Sequence, residues 1–188
     1  MPTFTPALNL VIRRQHLVVS TDQLEQHGVT RQRRRSLFAN GHFDTLHRGV
    51  HILASAEHTI EARCVAACLA NPRLVICGPT AGRVKRLRKM PGDDIHAMAL
   101  NACPQLDGGV THRTNQLSAD DVESRPDGIR ILRSPRLAHN LADHLDDGGF
   151  ESVVEQMLDR QDLTIPELFA VDRALRHRPD PAVRHHTA

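Results

Sequence analysis

Apolar and polar positions along this chain follow two periods in turn, and the switches between them mark its elements. Leu8, Val11 and Ile12 share one side of a leading helix over Pro6–His16, and Leu17–Val19 is a short apolar run that suits a strand. Ser20 or Thr21 then caps a helix through Asp22–His27, whose acidic first turn suits the helix dipole, and Gly28 breaks it. Thr30 caps a second helix, Arg31–Asn40, with Gly41 where a left-handed C-terminal residue is wanted. Phe43–Leu46 and Val50–Leu53 have strand composition around a tip at His47-Arg48-Gly49. Helix, tight turn, helix and hairpin, in that order, predict a winged helix-turn-helix over residues 1–54, whose second helix can enter a DNA major groove.

The remaining pattern predicts a mixed α/β domain over residues 55–178, ending in helices, so that the whole chain is α+β. Glu57–Asn71 is the strongest helix, with Ile60, Cys64, Val65, Cys68 and Leu69 on one face and Pro72 just beyond. A short buried strand, Leu74–Cys77, precedes a helix from Pro79 to Lys89 that Pro91-Gly92 stops. Strands follow at Ile95–Leu100, Val110–Thr114, Asp121–Arg125 and Ile129–Leu132, the last two joined by a turn at Pro126-Asp127-Gly128. Ser134 before Pro135 reads as a cap for a helix to Leu145, which Asp147-Gly148-Gly149 ends. Phe150–Asp159 and Ile165–Arg176 are two more helices, and residues 179–188 read as a flexible tail. There is no internal repeat.

Charge sharpens this division. The 188 residues carry a net +2, unevenly placed: +4 over residues 1–50, +5 over 79–90, −4 over 91–130 and −3 over 131–188. A basic front and an acidic back suit a chain with nucleic acid at one end and another partner at the other. Four cysteines without a secretory signal point to a reducing, cytoplasmic setting, and no apolar run approaches the length of a membrane span. With five Phe and no Trp or Tyr, stacking platforms for single strands are not expected.

Within the Arg31–Asn40 helix, Leu37 and Phe38 form an apolar seam, and Arg34 falls on the same side at i, i+3 and i, i+4. Arg34 is therefore expected to lay its stem over the seam. Arg31, Gln32, Arg35 and Ser36 fall on the other side, where Arg and Gln reach guanine and adenine edges and Arg and Ser hold phosphates. Thr30, Arg31, Gln32, Arg33, Arg35 and Ser36 are the candidate contacts of this helix with double-stranded DNA, and His47 and Arg48 those of the hairpin tip. Alone, such a helix also fits a solvated basic face; the turn, cap and hairpin tip the balance to DNA. Arg83, Lys85, Arg86 and Lys89, with Arg88 between them, are either a second phosphate-contacting surface or a solvated helix face.

Catalytic signatures are lacking. A PD-(D/E)xK nuclease needs carboxylates and a lysine around Mg²⁺, but Lys85 and Lys89 have Arg83 and Leu87 two positions before them. There is no Walker loop, GxSxG or HExxH, and the chain is expected not to be an enzyme. No metal or other cofactor is expected. Cys64 and Cys68 lie on the apolar face of their helix, His139 and His144 are five apart, and His185-His186 sit in the tail.

The phrases GVTRQRRRSLFANGHFDTLHRGVHIL, RCVAACLANPRLVICGPTAG and GGVTHRTNQLSADDVESRPDGIRILRSPRLAHNLADHL resemble the AbiEi-type antitoxins of type IV toxin–antitoxin systems, across about residues 15–175. They also resemble the N-terminal region of actinobacterial very-short-patch-repair-like endonucleases. Arg33, Arg34, His51 and the Thr80 phrase GPTAG depart from the antitoxin pattern. The resemblance implies a DNA-binding autorepressor of its own operator, whose second domain neutralises a nucleotidyltransferase-type toxin. The alternative is a DNA-binding remnant of such an endonuclease without its nuclease domain. A third reading is a stand-alone regulator with a small-molecule pocket in the strand-rich middle. No heptad seam marks a dimer, so the sequence does not fix the oligomeric state.

Overall fold

A computed structural model describes residues 4–177, which form two compact units. The first comprises the described residues up to Leu74 together with Ser124–Ile129. The second comprises Val75–Glu123 and the described residues from Arg130 onward. The fold is α+β, as expected. Among the described residues no helix is long and apolar enough to cross a membrane. The predicted tail, residues 179–188, lies outside them.

The first unit follows from its caps and glycines. Thr5 Oγ1 accepts from Leu8 N (3.3 Å) to open α1, Pro6–Arg14. Strand β1, Val18–Ser20, runs into α2, Thr21–Gln26, through a capping box in which Ser20 and Gln23 bond each other's backbone N–H. Gly28, at φ +79°, turns the chain, and Thr30 Oγ1 accepts from Arg33 N (3.3 Å) at the start of α3, Arg31–Ala39. Strands β2, Phe43–His47, and β3, Val50–Leu53, form a hairpin whose connection is Arg48-Gly49, and β3 lies between β1 and β2 in an antiparallel sheet. Leu8, Ile12, Val19, Leu24, Val29, Leu37 and Phe43 close one core, each such apolar side chain contributing about 1.5–3 kcal/mol on burial.

Two further segments belong to this unit, which corrects the boundary expected at residue 54. Helix α4, Ile60–Ala70, packs on β1, β2 and β3 and buries Ala62, Cys64, Val65 and Cys68, so the cysteines are core residues. The turn at Pro126-Asp127-Gly128 forms as predicted, with Gly128 at φ +92° and its N–H bonded to Arg125 O. Asp127 is buried there and takes hydrogen bonds from Arg125 (2.9 Å), from Ile129 N and from His16 Nε2 (3.2 Å). A contact spanning 111 residues of sequence thus assigns this turn to the first unit.

The second unit is built on a five-stranded sheet. It contains β4, Val75–Ile76; β5, Ile95–Leu100; β6, Gly109–Thr114; β7, Val122–Ser124; and β8, Arg130–Leu132, in the order β6-β5-β4-β8-β7. β4 is antiparallel to β5 and parallel to β8, while β5 and β6 are parallel. The helices are α5, Gly78–Val84; α6, Ser134–Leu141; α7, Asp147–Asp159; and α8, Ile165–His177, with α6 packed against the other three.

Several helix limits differ from the pattern, among them the start of α4 at Ile60 rather than Glu57 and the end of α6 at Leu141 rather than Leu145. α5 stops at Val84, not Lys89, because Arg86 turns left-handed (φ +57°) and carries Leu87 into the core, where Leu87 N bonds Gly82 O. The Met90 side chain lies over Gly82, where an added Cβ would stand 2.1 Å from Sδ and oblige that thioether to shift. Ser134 is the first residue inside α6 and makes no cap; Arg133 holds the cap position. The Asp147-Gly148-Gly149 triplet opens α7 instead of closing α6: Asp146 caps it by accepting from Gly149 N (2.8 Å).

Candidate nucleic-acid interface

The period of α3 divides its four arginines. Leu37 is the residue of this helix that reaches the core, and Arg34 lies beside it, half-buried, paired with Glu25 (2.6 Å) and donating to Val29 O. Arg31, Gln32, Arg33, Arg35 and Ser36 are exposed. The helix contains no acidic residue, so its outer face is cationic along its length. Its first-turn N–H groups add the positive end of the helix dipole, the arrangement that favours phosphate. Thr30 is exposed, and its oxygen accepts the capping bond while its hydroxyl proton remains available to an acceptor.

At the hairpin tip Arg48 is exposed and His47 half-buried, with Gly49 at φ +75° closing the turn. The central strand is fixed by His51, which is buried. Its Nε2 and Nδ1 meet the hydroxyls of Thr21 (3.0 Å) and Thr45 (3.1 Å), and its ring stands edge-on to Phe38 at 4.5 Å. Burial, and then Arg34, lower its pKa, so the ring is neutral and can donate to one threonine and accept from the other. His51 thereby ties the start of α2, the seam of α3 and the hairpin together, and sets the pose of α3 over the sheet.

The second basic group is split by the early end of α5. Arg83 is paired with Asp93 (3.1 Å) and donates to the carbonyls of Gly92 and Asp94, and Lys85 is paired with Glu123 (3.1 Å). Arg86 and Lys89 are exposed, but neither lies on a helix, and both have positive φ. The four do not form a single helical face. Thr80 is fully buried: its hydroxyl donates to Asp94 O and accepts from His96 N, both at 2.8 Å, so it joins α5 to the start of β5.

In the second unit six acids of the net-negative C-terminal block are exposed: Asp143, Asp146, Asp147, Glu151, Glu155 and Asp159. Four of them, Asp147, Glu151, Glu155 and Asp159, recur every four residues and make one stripe along α7. A cleft of about 450 Å³, lined among others by Asp120, Asp121, Glu123, Arg133 and Arg136, lies at the start of α6. Burial pushes the Cys77 thiol up to about 12 against the opposing effect of Arg136, so it stays protonated at neutral pH.

Sequence spacing missed one grouping. His96, His112 and His144 stand together in the second unit, with His96 Nδ1 3.1 Å from His112 Nε2. Burial lowers the pKa of His96, and then His112 and His144 lower it further; His112 is lowered by burial and by His144. The residues are 16 and 32 apart on two strands and a turn, and no short-range pattern marks them.

No family model matches this sequence, and no curated protein does. Among solved structures the chain is similar to the crystal structure of the RV2827C protein from Mycobacterium tuberculosis. The match has 18% identity and a TM-score of 0.55, and covers 92% of this chain and 71% of that one. At that identity the likeness is one of fold.

Proposed function

We propose that the first unit is a winged helix-turn-helix that binds duplex DNA, with α3 as its recognition helix and the Arg48 tip as its wing, in an antitoxin-like autorepressor of the AbiEi type. The observation that carries this reading is the exposed face of α3. Arg31, Gln32, Arg35 and Ser36 project from a capped helix without acids, while Leu37 and the Arg34–Glu25 pair hold its other face down. On DNA, the arginines and Gln32 read base edges, Thr30 and Ser36 hold phosphates, and Arg48 meets the flanking backbone or minor groove.

The second unit is then the surface for a basic partner, a nucleotidyltransferase-type toxin. The acidic stripe on α7 supports this, since like charges four residues apart cost a helix about 0.2–0.5 kcal/mol each. Charge complementarity of this kind chiefly sets on-rate and specificity. The protein acts by binding, without catalysis, in the cytoplasm. Asp127, the carboxylate nearest in pattern to a nuclease residue, is occupied by Arg125, His16 and the Ile129 amide.

The test is a fluorescence-anisotropy titration of full-length protein into the duplex upstream of its own gene, with a scrambled duplex of equal length beside it. Saturable binding, tighter to the upstream duplex and weakening with salt, is the expected result. Equal affinity for both duplexes, or none for either, would sink the reading.

A further inference from the structure

We propose that His96, His112 and His144 form a binding site for one divalent transition-metal ion of the Zn²⁺ class, held by three imidazoles with its fourth position open to water. The inference concerns the second unit and is independent of how the first unit is used.

Geometry carries it. β5 and β6 are parallel, with Met98 opposite His112 and His96 opposite Val110, so His96 and His112 lie on the same face of the sheet, one step apart on the diagonal. His144 comes to that face from the turn after α6, where its N–H bonds Leu141 O. The His96 and His112 rings are nearly parallel (18°) with centroids 5.3 Å apart, and the His144 ring stands edge-on to both, at 5.3 and 5.8 Å. One nitrogen from each ring lies within 4.8 Å of the other two. A tetrahedral ion about 2.0–2.1 Å from each nitrogen needs them about 3.3 Å apart, so no pair has to close by more than about 1.5 Å. This is the one group of three or more His, Cys, Asp or Glu side chains that meets this closeness among the described residues.

The supports are specific. His96 is pinned on both sides of its backbone, its N–H to Thr80 Oγ1 (2.8 Å) and its carbonyl to Cys77 N (3.0 Å). Asn140 Oδ1 accepts from Gly78 N (2.8 Å) and fixes the end of α6 that delivers His144. Gly78, at φ +53°, leaves room for that ring: a Cβ there would stand 3.1 Å from His144 Nε2 and 3.5 Å from His96 Cβ. Against this framework the rings have few other partners. Among the described residues, the His144 side chain has no hydrogen bond, and His96 and His112 bond only each other.

The donor set decides the ion. Three neutral nitrogens with neither thiolate nor carboxylate suit Zn²⁺, Co²⁺, Ni²⁺ or Cu²⁺ and are poor ligands for Mg²⁺ or Ca²⁺. All three histidines are half-buried, so the cluster is within reach of solvent, which can supply the fourth ligand as in zinc sites with three protein ligands. A bound ion would join the β5–β6 edge to the end of α6.

The experiment uses full-length protein freed of metal by chelator dialysis, with Co²⁺ as the spectroscopic probe. One Co²⁺ per chain should give the visible absorption of a four-coordinate site, displaced by Zn²⁺ and untouched by Mg²⁺. His112→Asn and His144→Gln should each weaken Co²⁺ binding by at least about 100-fold. His139→Gln and the His185→Ala/His186→Ala pair should leave it unchanged. The parent alone gives a second reading that needs no variant to fold: Zn²⁺ should protect His96, His112 and His144 from diethyl pyrocarbonate, mapped by mass spectrometry, and leave other exposed histidines reactive. No four-coordinate Co²⁺ band, a band that follows His185 and His186, or no selective protection by Zn²⁺ would overturn the proposal.

Discussion

Arg34 and Arg35 are chemically identical neighbours with opposite fates, and the helix period separates them. Arg34 shares the side of Leu37 and Phe38, so its guanidinium stops at Glu25; Arg35 projects to solvent. That division was legible in the sequence because it depends only on a cap at Thr30 and a period of 3.6. The environment of Asp127 was not. Its turn was readable from Pro126 and Gly128, but its half-buried partner His16 stands 111 residues away. Burial alone would raise the Asp127 pKa; hydrogen bonds from Arg125, His16 and Ile129 N outweigh it and hold the carboxyl below its ordinary value. Stability from this carboxylate is therefore fully present above its unfolded value, near 3.9, and is lost as pH falls through the lower folded value. Asp127→Asn is expected to cost about 1.5–3 kcal/mol in urea unfolding at neutral pH. The gap from the parent should close as pH drops below the usual carboxylate range. A gap that stays constant to acid pH would assign the loss to shape rather than charge.

Elements whose ends are set locally could be placed from sequence, and those set by tertiary contacts could not. The capping box at Ser20 and Gln23, the Thr30 cap and the Gly49 turn fix α2, α3 and the hairpin within a few residues of themselves. α5 ends five residues early because Leu87 is buried and the Arg88 N–H is held by Gln156 Oε1 from α7, information that residues 79–90 do not contain. The basic run that looked like one helical face is consequently divided between internal pairs at Arg83 and Lys85 and exposed turn residues. The hairpin tip should act by charge alone. Arg48→Ala is expected to weaken every duplex alike and to reduce the slope of log affinity against log salt by about 0.9, one phosphate's worth. A changed sequence preference with an unchanged slope would instead make Arg48 a base reader.

At the level of the whole molecule, two units share one chain, and the Ser124–Ile129 turn crosses between them in sequence. A cut after residue 54 would strip α4 from its sheet and leave that turn without its unit. Roles are therefore best separated by point variants of full-length protein. On the proposed function, reversing the α7 stripe with Asp147→Lys, Glu151→Lys, Glu155→Lys and Asp159→Lys should abolish rescue of cells co-expressing a toxin of the proposed nucleotidyltransferase type while leaving DNA affinity unchanged. Rescue at the parental level would remove α7 from the partner surface. The α+β class and the order of elements were readable from pattern, whereas the division into units and the three-histidine cluster depend on chain segments that only the folded structure brings together. The central claim, that α3 is the recognition helix, is tested most directly by anisotropy titration of full-length Arg31→Ala/Arg35→Ala protein against the upstream duplex. Each lost base contact is expected to cost about 1–3 kcal/mol and to relax specificity at its position, with unfolding unchanged. A folded double variant that binds the upstream duplex with parental affinity and specificity would contradict the account.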